Sequence, residues 1–406
     1  AMFWLVRGLA SGFDPASERF AVAVELSRIA FPYLALISLA ALFSGILNAL
    51  GRFWVAAFAP ILLNLVLIGA LFLAIVVPVA PAHFLAVGVT VAGVLQLALV
   101  VWACHRNGFA LALQRPRTTP AVRRLGALIL PGVFGAGVYQ LNLIVDTWFA
   151  SHLEVGAVSW LFYADRLVQL PLGLIGVALG TALLPLLARR LRAGEHEEAR
   201  RALNRSIEIA ALLTLPAAIG LALLAAPIVT VLFERGAFGP AASAATAAAL
   251  AAFAAGLPAY VLIKILAPAF FAREDTRTPV LVATVCLLVN VLAILVMIGP
   301  LGHVGIALAT AIASWVNALA LGGLLLRRGD LVPDRRLRGR LWRILAACAV
   351  MGAVLWLVRG RLDPGVGALE LAVLIGTGAL AFLVAAQLGR AVDLKELRHE
   401  LRGHRA

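Results

Sequence analysis

Four charged side chains sit inside long apolar stretches: Asp146 in NLIVDTWFAS, Asp165 and Arg166 in FYADRLVQLP, and Lys264 in VLIKILAP. A further group, Arg273, Glu274, Asp275 and Arg277, fills FFAREDTRTP (270–279), a charged turn between two greasy segments. Charge in apolar surroundings is costly, so each such group needs a partner or a wet cavity, and each marks a substrate or ion path by default. The chemistry on offer is electrostatic: isolated charges within or beside apolar helices, with no covalent centre among them. Asp165 and Arg166 are adjacent and do not share a helix face, so they fit a clasp at a helix end as well as a cavity wall. Asp146 lies near one end of its stretch, where water reaches it. Lys264 lies mid-stretch, nine residues before Arg273, and suits the wall of a polar cavity. By position alone Arg273 reads as a boundary charge that sets topology.

The elements that hold these residues follow from composition. The chain has 406 residues, 63% hydrophobic and only 13% charged. Its mean hydropathy is +1.01. Soluble domains are about half apolar and about one quarter charged, so lipid is the main solvent here. Eleven complete spans are expected, at 24–50, 56–78, 82–107, 123–150, 157–188, 203–233, 243–273, 277–298, 302–327, 342–359 and 366–390. Each is long enough to cross hydrocarbon as a helix, the open-chain form that satisfies its own backbone there. Prolines at 131, 171, 185, 216, 258 and 268 are expected to kink these helices. The opening AMFWLVRGLASGFDP reads as the last turns of a helix, and the chain as a fragment of a longer protein.

The net charge of +14 falls on alternate loops. Arginines crowd at 52, 106–124, 189–205, 273–277 and 327–343 and, with Lys395, in the tail, whereas the opposite loops hold Arg7, Arg19, Arg28, Arg235, Arg359 and Arg361. The rich side, with the C-terminus, is therefore expected in the cytoplasm, and the basic balance needs no nucleic acid. Cys104, Cys286 and Cys348 lie in apolar segments without metal-ligand or disulfide spacing. An internal echo links GRFWVAAFAPILLN with REDTRTPVLVATVCLLVN, each a basic turn leading into a span with an asparagine, Asn64 or Asn290. Parallel repeats of this kind are a transporter plan. No phosphate-binding loop, zinc motif, nucleophile elbow or selectivity filter is present. Bends and isolated intramembrane charges in a large bundle point to a transporter.

Four long blocks then resemble a known family: RIAFPYLALISLAALFSGILNALGRFWVAAFAPILLN, VSWLFYADRLVQLPLGLIGVALGTALLP, LAPAFFAREDTRTPV and GPLGHVGIALATAIASWVNA. In order, they resemble the MurJ (MviN) family of bacterial lipid II flippases, within the multidrug/oligosaccharidyl-lipid/polysaccharide exporter superfamily. The resemblance implies an all-α polytopic membrane protein with a two-lobe transporter fold, N-terminally truncated to eleven complete transmembrane helices plus a stub. Residues 1–107 would be the rest of the N-terminal lobe, 108–122 a cytoplasmic linker and 123–327 the C-terminal lobe region. Residues 328–341 would be a second basic linker, 342–390 a helix pair with a groove for the lipid tail, and 391–406 a cytoplasmic tail.

The same resemblance implies movement of lipid II from the inner to the outer leaflet by alternating access, in the bacterial inner membrane, with no covalent chemistry on the cargo. Arg273 falls where the resemblance implies a cavity arginine for the headgroup, with Lys264 and Arg277 as secondary cations. Asp146, Asp165, Arg166, Glu274, Asp275 and Asn290 are expected in cavity or gating roles, with Glu274 and Asp275 pairing with loop arginines. The family's other cavity arginines lie in its first two helices, which these residues do not include. No cofactor is implied; coupling to sodium or to protons is compatible with the resemblance, with Asp146 and Thr310 as the candidates for a sodium site and no metal assigned. The implied partners are lipid II and cell-wall synthesis proteins, for a monomer. The alternatives are an exporter of another lipid-linked oligosaccharide or of drugs on the same fold, or an inactive relic.

Overall fold

The computed structural model describes residues 2–77, 80–109, 137, 140–359 and 367–391. Most of the first linker (110–122), the start of the span expected at 123–150, the turn at 360–366 and the tail from 392 lie outside the described residues. The chain divides into two compact units, Ala1–Leu125 and Gly126–Ala406.

Unit 1 contains α1 (Met2–Leu9), α2 (Glu18–Ala30), α3 (Pro32–Ala49), α4 (Phe53–Val76) and α5 (Pro81–Arg106). The span expected at 24–50 is thus broken at Phe31, because Pro32 has no N–H to continue the helix. Beside the break, Thr90 Oγ1 donates to the Ile29 carbonyl at 2.6 Å, which supplies a partner where the ladder is interrupted. Phe43, Leu47, Val55, Val100 and Cys104 form the unit's core. Ile61, Leu65, Ile68 and Phe72 of α4 are exposed, as expected for side chains whose solvent is lipid.

Unit 2 is built around α11 (Pro240–Phe271). Its run of alanines presents a smooth surface, and α7 (Ala157–Pro171), α8 (Ala178–Arg192), α9 (His196–Leu223), α10 (Ala225–Phe233) and α12 (Arg277–Arg327) all pack on it. A Cβ on its Gly256 would lie 3.0 Å from the Ala311 Cα, so α11 and α12 approach almost backbone to backbone. The other elements are α6 (140–151), a π-helical turn (Leu172–Val177) between α7 and α8, α13 (Arg335–Arg359) and α14 (Ala368–Leu388). The π turn directly follows Pro171, one of the prolines expected to bend its helix.

One boundary here differs from expectation, and one pair of expected spans runs together through a sharp reversal. The span at 203–233 is two helices, parted at Leu224. The spans expected at 277–298 and 302–327 are both present, as the two arms of α12, whose 51 residues would reach about 76 Å if straight, over twice the hydrocarbon thickness. The helix instead turns back at Gly302 (φ 54°, ψ −131°), a conformation that side chains oppose. The return is tight enough that a Cβ on Gly305 would lie 2.5 Å from the Met297 carbonyl oxygen. Among the described residues nine helices are long and apolar enough to cross a membrane. One of them, α12, covers two of the expected spans, and the span at 123–150 is described continuously only from residue 140.

Candidate functional site

Unit 2 gathers the charged residues singled out in the sequence into three groups. The first is interior. Asp146 on α6 accepts from Asn290 Nδ2 at 3.0 Å and from Thr310 Oγ1 at 3.0 Å, both on α12. Asn290 is completely buried and also donates to Asn142 Oδ1 at 3.3 Å. Asn142 and Asp146 are four apart and so share one face of α6. The two α12 partners come from opposite arms of its hairpin, so the reversal at Gly302 is what brings them to one carboxylate. Both donors to Asp146 are neutral. The Asn290 Oδ1 oxygen is buried without a hydrogen-bond donor, an open acceptor beside the carboxylate.

The second group lies along α7 and the π turn. Asp165 accepts from Gln169 one turn on, and Arg166 Nη1 donates to Gln169 Oε1 at 3.1 Å. The adjacent charges are therefore joined through a shared amide rather than to each other. Arg166 is exposed and lies over the Phe162 ring at 4.7 Å. On the facing helix α11, the stem of Lys264 packs on the glycines after Pro171. A Cβ on Gly176 would lie 3.5 Å from Lys264 Cγ, and one on Gly180 would lie 2.8 Å from the Lys264 carbonyl oxygen. The Lys264 residue is exposed and makes no side-chain hydrogen bond or ion pair among the described residues.

The third group is the charged turn. Arg273, expected to face cargo, has intramolecular partners. Its Nη1 donates to the Ala269 carbonyl at 2.7 Å and its Nη2 lies 3.0 Å from Asp330 Oδ1. Asp275 accepts from the Thr278 backbone N–H at 3.0 Å and hydroxyl at 2.7 Å, which caps α12, and pairs with Arg328 at 2.7 Å. The Thr278 N–H, helped by Arg328 and the Thr278 hydroxyl, holds the Asp275 carboxyl down to about 2. Glu274 is exposed, and its backbone is left-handed at φ 62°. Arg277 is exposed at the start of α12, where the helix dipole disfavours a cation, and has no side-chain partner among the described residues.

Reading the sequence missed Asn142, Gln169, Asp330 and Glu208. Glu208 is a buried carboxylate on α9 that meets Arg205, Arg336 and Arg340. Its one legible signal is the i,i+3 spacing to Arg205. Asp330 sits in a basic linker that reads as topology charge.

Bent apolar helices with polar groups held between them have the build of a polytopic membrane transporter. The chain belongs to the family described as lipid II flippase MurJ, whose model matches residues 1–375. A protein of Rhizobium tropici named probable lipid II flippase MurJ is 44% identical over 100% of this chain and 78% of its own length. One of Rhizobium meliloti with the same name is 46% identical over 86% of this chain and 65% of its own length. Among solved structures, a lipid II flippase MurJ in an inward closed conformation superposes with a TM-score of 0.80 at 24% identity, covering 95% of this chain and 78% of that one. A multidrug transporter of the MATE family, inward-facing, matches with a TM-score of 0.67 at 16% identity over 81% of this chain and 76% of that one. These two likenesses show the fold.

Proposed function

We propose that this chain carries lipid II from the inner to the outer leaflet of the bacterial cytoplasmic membrane by alternating access, as a transporter that makes and breaks no covalent bond. The observation that carries this reading is the family match along residues 1–375, with relatives named as lipid II flippases at 44% and 46% identity. The MATE likeness, at 16% identity, supports the shared fold and does not favour a drug as cargo. The physical task is to move a diphosphate and sugar headgroup through about 30 Å of hydrocarbon. Cations in a wet cavity offset the hydration that the headgroup loses.

Lys264, Arg166 and Arg277 are the cations we assign to the headgroup, because each is exposed and none is matched to a carboxylate in a direct ion pair among the described residues. The arginine-rich loops support a cytoplasmic C-terminus. Lipid II is the partner, and contact with cell-wall synthesis proteins fits the same role.

Coupling to sodium or protons centres on Asp146. Asp146, Asn142 and Thr310 offer oxygens, whereas Asn290 turns its amide nitrogen to the first two; a flip of that amide would bring its orphaned Oδ1 round and complete an all-oxygen set for a hard cation. These residues would hold sodium, which would supply positive charge beside a carboxylate whose protein donors are neutral. Among the described residues there is no cluster of three histidine, cysteine or acidic side chains for a transition metal.

The test is replacement of function. The complete gene product is expressed in bacteria depleted of their own lipid II flippase, and growth and outer-leaflet lipid II are measured. Restoration is expected, and its loss with Lys264→Ala at normal membrane abundance. Failure of the unaltered protein, at normal abundance, sinks the lipid II reading.

A further inference from the structure

Two helix ends of unit 2 carry the same three-residue pattern. Arg273-Glu274-Asp275 follows α11 and Arg328-Gly329-Asp330 follows α12. In each, the last residue's N–H reaches back five positions, Asp275 to the Phe270 carbonyl at 3.1 Å and Asp330 to the Leu325 carbonyl at 2.9 Å. Each middle residue is left-handed, φ 62° at Glu274 and 70° at Gly329. One C-terminal motif is thus built twice.

The two ends exchange charges reciprocally. Arg273 pairs with Asp330 at 3.0 Å, and Arg328 pairs with Asp275 at 2.7 Å. Arg328 also donates to Thr278 Oγ1 at 3.2 Å and lies 5.2 Å over the ring of Phe270, which is fully buried. Arg273 commits both terminal nitrogens, one to Asp330 and one to the Ala269 carbonyl of the last turn of its own helix. The paired side chains are 22% and 22% exposed in one bridge and 41% and 23% in the other. Pairs this wet hold a geometry without locking it.

We propose that Arg273, Asp275, Arg328 and Asp330 form a reciprocal clasp that sets the position of the α11 end against the α12 end, and that Arg273 serves transport through Asp330 rather than by touching the cargo diphosphate. Arg273 and Asp330 are positioning residues. What they position is α11, which carries Lys264 nine residues upstream. The transport consequence rests on the flippase reading above, whereas the clasp rests on geometry alone.

A direct cargo contact and a clasp predict opposite signs. If Arg273 bound the diphosphate, Asp330→Asn would release a competitor, and transport would hold or rise. In a clasp, Asp330→Asn loses as much as Arg273→Gln does. The charge exchange is the sharper test, in the complete gene product and in the depleted cells. Arg273→Asp and Asp330→Arg singly are expected to cut outer-leaflet lipid II about tenfold, a coupling within the range for contacting charged groups, and together to restore it to within about twofold. A double variant as inactive as Arg273→Asp overturns the proposal, as does an Asp330→Asn variant with full or raised transport.

Thermal unfolding of the purified proteins in detergent separates this from the cargo assignment. Each single exchange is expected to lower the midpoint and the double to recover it, whatever the protein carries. If the unaltered protein fails to flip lipid II while the midpoints still couple, the flippase reading falls and the clasp stands. Intact transport with uncoupled midpoints removes the clasp alone. The milder Asp330→Asn and Arg273→Lys keep the measurement open if an exchange prevents folding.

Discussion

Asp146 and Asp275 are both aspartates of unit 2 with two or more hydrogen-bond donors, yet their donors differ in kind. Asp146 lies between α6 and the two arms of α12 and receives an amide and a hydroxyl. Asp275 lies at a helix end and receives a backbone N–H, a hydroxyl and a guanidinium. A carboxylate matched by a cation and a helix N-terminus is settled as an anion and contributes to holding the structure. One in the interior with neutral donors is only partly compensated, and it stays receptive to a proton or a cation. The first arrangement suits a fixed geometry, and the second suits a site whose charge changes during a cycle.

The largest expected effect tests the interior site. Asp146→Asn should abolish transport while leaving the thermal midpoint equal or higher, because it removes a poorly compensated charge; such a charge costs several kcal/mol when buried. A fall in midpoint with transport retained would make Asp146 a structural residue and erase the contrast. Next come the clasp carboxylates. Asp275→Asn and Asp330→Asn should each lower stability by about 1 kcal/mol, the upper end for part-exposed ion pairs, as read from chemical denaturation in detergent. A third change acts on backbone alone. Glu274→Gly should raise stability by about 1 kcal/mol, since a left-handed residue is unfavourable for any side chain, and Gly329→Ala should lower it similarly. Equal responses at the two positions would mean that the two helix ends are not built alike.

The smallest effect is in pH. A carboxyl held at about 2 in the folded chain, below its ordinary 3.8, contributes stability that is complete above 3.8 and lost as pH falls from there toward 2. Asp275→Asn should flatten that part of the stability curve. An unchanged slope between about pH 4 and pH 2 would show that Asp275 does not carry it.

Much of this was legible in the residues, and the part that was not has a common cause. Asp146, Asn290 and Thr310 stand out as polar groups in apolar segments, but 144 and 164 positions separate Asp146 from its two donors, and no periodicity spans that distance. The pairing of Asp275 with a loop arginine was expected, and the partner is Arg328. Asp330 carries no such signal, because it lies among arginines whose number already explains topology. Asn64 and Asn290 look equivalent in the echoed segments, yet Asn64 is exposed and Asn290 fully buried. Local sequence is alike at both, but only one faces a helix that offers partners.

By itself the sequence determined the solvent, the helical class, most of the crossing segments and the turn residues. Each of these follows from local composition and from the need of backbone groups in lipid to bond within their own helix. The tertiary structure alone decided which arms of α12 meet α6, and that Arg273 faces Asp330. Those pairings depend on where a hairpin reverses at Gly302 and on how two helix ends lie side by side. Both are set by packing between distant segments, which in a bundle of uniformly apolar helices leaves little trace in any one of them.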